Sequence, residues 1–483
     1  MGPQRYDTII IGTGFAGLGL AAKMLEAGRD DVVLLEKADA IGGTWRENTY
    51  PGAECDVPSA LYSYSFAPNP TWDFKWAKQK QILQYINDFA DDFGLRPHIR
   101  HGAKVVRADW LDGEWLVTLE SGNQMRARYL VSGVGQLHHS RIPEFEGLET
   151  YKGPAFHTAR WDHSVELEGR DIACVGNAAS AIQLIPEVAE VAAKLTVYHR
   201  SPNWICEKGD RPYSGLEKWI GKVFPPLAKL YRGQLWSQGE YLIWPAIQGK
   251  TLQSALFRKQ HVKVLEEHFP DDPDMRRKLT PDYPVGARRI LFSDKYIQAL
   301  ARPNVEIVFD PIERFTEDGI VAGGTERSHD AVALATGFIT NPFLMHIDVT
   351  GEDGMSLKER WADGAEAYLG VMTSGFPNLF FLYGPNTNTG HTSIVYKLEQ
   401  QFEMVLKLMD RASNGVVAVK ADAEAEYNEE MQRRLRNTAW DKVEASWYKD
   451  GEKVTNNWPG SSKEFKRRLT NPIFDHFRFE RAA

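Results

Sequence analysis

The stretch YDTIIIGTGFAGLGL, residues 6–20, is compatible with few folds. An apolar run ends in Gly12, Gly14 and Gly17 at the spacing G-x-G-x-x-G and passes directly into a helical pattern. The first glycine permits a tight turn, the second lets a pyrophosphate approach the backbone, and the third lets the helix pack on the strand. The helix N-terminus then offers free N–H groups and partial positive charge to that pyrophosphate. A second apolar run, VVLLEK, delivers Glu36 with Lys37 beside it, 24 positions after Gly12. A carboxylate there accepts hydrogen bonds from a ribose diol and repels a 2′-phosphate. Strand, glycines, helix and acid together imply a dinucleotide-binding unit.

The pattern returns at 171–201. DIACV leads into Gly176, Asn177, Ala178, Ala179, Ser180 and Ala181, a helical stretch follows, and the next strand ends at Arg200 and Ser201. Arg200 also stands 24 positions after its first glycine, and a guanidinium there offers a forked donor to a 2′-phosphate. Alanine replaces the second and third glycines, and the methyl of Ala178 is expected to crowd the pyrophosphate. The competing reading is a degenerate half that only packs. Two sites of opposite ribose preference imply two dinucleotides, FAD at the acid-read site and NADPH at the arginine-read one, with hydride passing from nicotinamide to flavin.

Composition narrows the class. The chain has 483 residues, 43% of them apolar and 25% charged, which suits two or three globular domains. A net charge of −8 argues against nucleic acid as a partner. Three cysteines, Cys55, Cys174 and Cys206, form neither a CxxC nor a disulfide framework, so a reducing, cytoplasmic setting is expected. No leader pattern, membrane span or metal-ligand spacing is evident, and the oligomeric state stays open.

Between the two glycine loops lies YKGPAFHTARWD, residues 151–162, which reads as an interdomain joint. Its form, Tyr151-x-Gly153-x-x-x-His157-x-x-x-Trp161-Asp162, resembles the fingerprint of class B flavoprotein monooxygenases, and within them the type I Baeyer–Villiger monooxygenases, with Tyr for the leading Phe. Residues 42–56, GGTWRENTYPGAECD, match every fixed position of a second signature of that family. YLVSGVGQL, DYPVGARRILFSDKY, AVALATGF, PNLFFLYGPNTNTGH and SWY resemble further family segments in order. The tail around NNWPGSS is closer to the 4-hydroxyacetophenone branch.

The resemblance implies an α/β chain with two Rossmann-like dinucleotide-binding domains. Residues 1–145 and 341–483 would form the FAD-binding domain, and 146–340 the NADP-binding domain, with a helical insertion at about 205–285. It further implies NADPH- and O2-dependent insertion of oxygen beside a ketone carbonyl, through a C4a-peroxyflavin, to give an ester or lactone. Arg289 is the expected catalytic cation, held by Asp56. Thr44, Trp45, Tyr62, Val105, Gln136 and Trp447 are expected near the cofactors, with Arg288 joining Arg200 at the 2′-phosphate. Gly153 would give the joint backbone freedom, His157 would act conformationally rather than as an acid or base, and Trp161-Asp162 would anchor the next element. An N- or S-oxygenating flavin monooxygenase is the alternative. In the insertion, Leu216, Trp219, Ile220, Val223 and Phe224 share one helical stripe. That stripe is open to three readings: a lining of the substrate entry, a packing face, or a membrane-surface helix. The basic run Lys463, Lys466, Arg467 and Arg468 reads as a solvated face.

Overall fold

A computed structural model describes residues 2–341, 343–344, 346–443 and 448–481. Two sheets dominate it, the first mixed and the second parallel. The first is built on the strand Gln4–Ile11, which pairs in parallel with Val32–Leu35 on one side and Gln124–Ser132 on the other. Its neighbours run, in order, Asp348–Thr350, Val105–Leu111, Glu114–Leu119, Gln124–Ser132, Gln4–Ile11, Val32–Leu35 and Ile99–Arg100, and Leu379–Phe381 also joins Gln124–Ser132. VVLL is buried at all four positions, as a strand covered on both faces must be. One face carries the helix Phe15–Glu26 and, packed on it, the long helix Ile394–Ala412. The two helices approach closely at Gly19, where an added Cβ would sit 2.6 Å from the Phe402 ring.

The second sheet is all parallel, in the order Val305–Val308, Lys194–Tyr198, Asp171–Val175, Ala331–Leu334 and Ala155–His157. The helix Ala179–Val191 packs its Ala181, Ile182, Leu184, Ile185 and Val188 against that sheet. Truncating Ile182, Leu184 or Ile185 to alanine should cost about 2–5 kcal/mol. In both sheets the glycine loop leaves the carboxyl end of a central strand, where open α/β sheets place their ligands.

Residues 205–292 are bracketed by a short parallel pairing of Ile205–Cys206 with Leu291–Phe292. Between them the chain is helical, including Gly215–Val223, Pro225–Gln238 and Thr251–His268. The carboxy-terminal basic run is not simply solvated: Arg468 is half-buried and its guanidinium pairs with Glu430 and Glu464.

Candidate active site

Both glycine loops open into one continuous cavity of about 1380 Å³. Gly12 has φ +102° and Gly176 φ +116°, and an added Cβ would fall 2.7 Å from the Gly133 carbonyl oxygen in the first case and 2.4 Å from that of Ala335 in the second. Gly17 is more constrained, because its Cβ would lie 2.0 Å from the Gly12 oxygen. Gly14 differs: its nearest neighbour would be the Gly43 Cα at 4.0 Å, so the protein leaves that space open. That gap beside unpartnered helix-start amides is the shape a pyrophosphate requires. Ala178, exposed to the cavity, has φ −88° and ψ −161°, close to the −86° and −167° of Gly14. The loop backbone is therefore one an alanine adopts without strain, and only its methyl distinguishes the two sites.

Glu36 is 4% exposed and accepts from the Thr13 amide at 3.2 Å, the Thr13 hydroxyl at 2.5 Å, the Ala38 amide at 3.0 Å and Arg46 at 3.1 Å. Its carboxylate braces the glycine loop as well as facing the cavity, a second duty the spacing did not suggest. Lys37, Thr44 and Val105 line the same end, Lys37 with its ammonium 3.6 Å from Glu47. Trp45 donates its indole N–H to the Tyr62 hydroxyl at 3.1 Å. Gln136 donates to the Tyr383 carbonyl at 2.8 Å, and its buried Oε1 has no partner among the described residues.

On the second loop, Asn177 donates to the Ser201 carbonyl at 2.5 Å and bonds the ring of His199 at 2.9 Å. Ser180 and Ala179 begin the helix at the cavity wall. Arg200 is exposed to the cavity, while Arg288 donates to the Ser201 hydroxyl at 2.8 Å and lies over the Tyr283 ring at 4.7 Å. Two cationic side chains thus flank one end of the second loop.

Between the loops stands the pair that the sequence singled out: Arg289 donates to Asp56 at 2.7 Å, with both side chains a quarter to a third exposed. Burial works against the guanidinium's charge, but the Asp56 carboxylate together with Tyr448, Tyr383 and Cys55 outweighs it and holds the pKa above its ordinary value. Cys55, next in chain, is fully buried, and burial reinforced by the Asp56 charge pushes its thiol well up, so it offers no nucleophile.

The 42–56 signature touches more than the first sheet. Tyr50 donates to the Gln183 Oε1 at 2.7 Å, Gln183 donates to the Glu54 carbonyl at 3.0 Å, and an added Cβ on Gly52 would meet the Gln183 oxygen at 2.3 Å. Lys208, almost wholly buried, and Lys78 both pair with the Glu54 carboxylate. Gln183, Glu54 and Lys208 therefore clamp the loop carrying Asp56 to the helix of the second sheet. Sequence reasoning missed all three, and no local signal marks them. It also missed Tyr383, a half-buried aromatic at φ +63° on the cavity wall whose hydroxyl donates to Asn388 at 2.9 Å. A bulky side chain at positive φ stores roughly 1–3 kcal/mol of strain, a feature that clusters at functional sites.

The fingerprint 151–162 proves to be built into the second sheet rather than a free joint. Tyr151 donates to the His329 carbonyl at 2.7 Å. Gly153 is required by contact, not by conformational freedom: an added Cβ would lie 2.4 Å from the Tyr151 hydroxyl oxygen. His157 ends an edge strand and accepts from the Ala159 amide at 3.1 Å, with burial lowering its pKa to about 4. Trp161 packs edge-on to Phe156, and the exposed Asp162 caps its turn through Ser164. The link to the first signature runs through Arg160 to Glu47 at 3.2 Å and His163 to Thr49 at 2.8 Å. No residue between 205 and 285 lines the cavity, so the expected role of the insertion at the substrate entry is not seen. Trp447 lies outside the described residues.

Comparison with known proteins agrees with this arrangement. A family model described as pyridine nucleotide-disulphide oxidoreductase matches residues 9–229, although all three cysteines here are free. A Baeyer–Villiger monooxygenase of Pseudomonas aeruginosa is 40% identical over 96% of this chain and 89% of its own, and one of Streptomyces coelicolor is 38% identical over 96% and 91%. Among solved structures, a steroid monooxygenase bound to NADP superposes with a TM-score of 0.89 at 29% identity, covering 99% of this chain and 100% of that one. A cyclohexanone monooxygenase from a Rhodococcus species bound to NADP+ does so at 0.89 and 26%, covering 100% of each. Sequence relatives that span nearly the whole chain, and neighbours that superpose over almost all of it, place it in one family: the chain belongs to the Baeyer–Villiger monooxygenases.

Proposed function

We propose that this chain acts in the cytoplasm on a small ketone, using NADPH and O2, with Arg289 and Asp56 as its catalytic pair. The first sheet and the carboxy-terminal segment, residues 1–145 and 341–483, hold FAD. Residues 146–340 hold NADPH. The open space at Gly14, the bracing of the loop by Glu36 and the unpartnered Gln136 oxygen fit a resident flavin dinucleotide. The exposed Arg200 beside Arg288 and Ser201 fits a 2′-phosphate. When bound, the flavin supplies the redox chemistry that takes hydride from NADPH and activates oxygen.

The protein's part in the reaction is to hold charge. Arg289 stays cationic at any working pH and cannot release a proton, so it favours negative charge on oxygen without quenching it. Asp56 fixes the guanidinium plane and raises its pKa further. A preorganised donor aimed at the charge that develops as a carbonyl is attacked is worth about 3–4 kcal/mol. The Arg289–Asp56 contact of 2.7 Å, in the one cavity that both glycine loops line, is the observation that carries this reading. Its test is ester formation from an aryl ketone with NADPH and air by the flavin-loaded enzyme. Ester made in proportion to NADPH consumed supports the reading, whereas NADPH consumption that yields only hydrogen peroxide would overturn it.

A further inference from the structure

The insertion carries a surface unlike the rest of the molecule. Gly215–Val223 and Pro225–Gln238 form a helical hairpin, its first helix capped by Ser214 and Glu217 and its bend set by Phe224-Pro225-Pro226. The hairpin's inner side is anchored by polar and backbone contacts. Lys218 pairs with Asp73 at 2.6 Å, Arg232 donates to the Ala60 and Ser63 carbonyls, and Gly221 rests on Pro70. Its outer side is apolar and uncovered: Leu216 is 65% exposed, Trp219 54%, Phe224 48% and Leu230 70%, with Val223 and Leu227 also exposed between them. The Trp219 and Phe224 rings meet edge to face at 6.0 Å, so the patch continues across the bend. A surface helix ordinarily turns its apolar stripe to the core and its polar face to water. Here Leu216, Trp219, Val223 and Phe224 face outward while Ile220 is half-buried and Leu235 buried, which removes the packing-face reading for the four exposed members of the stripe, and a contiguous exposed patch of this kind marks an interaction surface.

Charge indicates what the surface meets. Residues 211–232 hold Arg211, Lys218, Lys222, Lys229 and Arg232 against the single acid Glu217, in a chain whose net charge is −8. Lys222 and Lys229 are exposed among the apolar side chains, and among the described residues neither makes an ion pair. A second copy docking by two-fold symmetry would bring these lysines against their own kind, which costs association. Tryptophan, phenylalanine and leucine interleaved with free lysines are the chemistry that seats a helix in the interface of an anionic bilayer. We infer that the outer face of the 215–238 hairpin is a peripheral docking surface for anionic lipid, reversible and without any spanning segment. No helix among the described residues is long and apolar enough to cross a membrane.

The test is flotation of the flavin-loaded enzyme with unilamellar vesicles of phosphatidylcholine, with and without phosphatidylglycerol. The enzyme should float with phosphatidylglycerol vesicles, stay behind with pure phosphatidylcholine, and be released by high salt. Trp219→Ser with Phe224→Ser should abolish flotation, and Lys222→Gln with Lys229→Gln should weaken it about fivefold per charge removed. All four positions are exposed, so flavin content and melting temperature should remain those of the parent and exclude misfolding as the cause. The inference fails if the parent never floats, or if the aromatic variant floats as well as the parent. It fails equally if the parent proves a dimer that the aromatic substitutions dissolve, since the face would then meet a second copy.

Discussion

The two glycine loops have nearly the same backbone and opposite surroundings. At Gly14 and Ala178 the φ and ψ angles agree within a few degrees, yet the charged residue after the next strand is engaged by the protein at the first loop and open to the cavity at the second. Glu36 is buried and occupied with Thr13, Ala38 and Arg46, whereas Arg200 is exposed to the cavity. The difference teaches that one turn geometry serves two kinds of occupancy. A loop braced from within suits a cofactor that stays, and a loop offering free cations suits one that exchanges. Between them the clamp of Gln183, Glu54 and Lys208 joins the two halves beside the Arg289–Asp56 pair on the cavity wall.

The comparison is broken most severely at Gly17. Gly17→Val should leave no folded, flavin-containing protein, because even a Cβ there lies 2.0 Å from the Gly12 oxygen. Absorbance of the purified variant in the flavin bands checks it, and a yellow, stable variant would mean the first loop is less closed than described. Next is Arg289→Ala, which should retain NADPH-driven flavin reduction and lose ester formation by roughly a hundred- to a thousandfold. Single-turnover reduction and ester yield separate the two.

A third prediction concerns acid. In the second half, burial lowers His157, His199 and His329 to about 4. Their unfolded-state pKa is about 6.5, so between these values the unfolded chain binds more protons and stability falls as pH drops from about 6.5 towards 4. His157→Gln should remove about 3 kcal/mol of that pH-dependent loss, read as a flatter dependence of melting temperature on pH.

Smaller effects sharpen the contrast at the second loop. Arg200→Ala should raise KM for NADPH roughly thirtyfold, as expected for a charge-assisted contact of about 2 kcal/mol, and change that for NADH little. Equal effects on both would show that the 2′-phosphate is read elsewhere. Ala178→Gly should change KM for NADPH by less than about tenfold, because the backbone already matches Gly14 and only a cavity-facing methyl is removed.

Much of this molecule was legible in the chain. Both glycine loops, Glu36, Arg200 and the Arg289–Asp56 pairing are marked either by local backbone requirements or by motifs spaced along the sequence. The reading of Gly153 as a source of freedom failed because the contact with Tyr151 depends on how that ring folds back to reach His329. The insertion was ambiguous for a similar reason. The stripe from Leu216 to Phe224 is visible in the sequence, but whether a stripe faces core, cavity or solvent depends on what the opposite face finds to hold, here Asp73, Ala60 and Ser63.

By itself the sequence determined two dinucleotide folds, their order, and the sign of the charge that follows the second strand of each, because turn conformation and strand-to-helix spacing are properties of short segments. Tertiary structure alone decided that Gln183, Glu54 and Lys208 meet, that Tyr383 is held at positive φ, and that the hairpin turns its apolar face outward. Those features arise from groups more than a hundred residues apart, or from contacts between whole elements. Their energies exist only once the chain has paid its conformational entropy and brought the elements together.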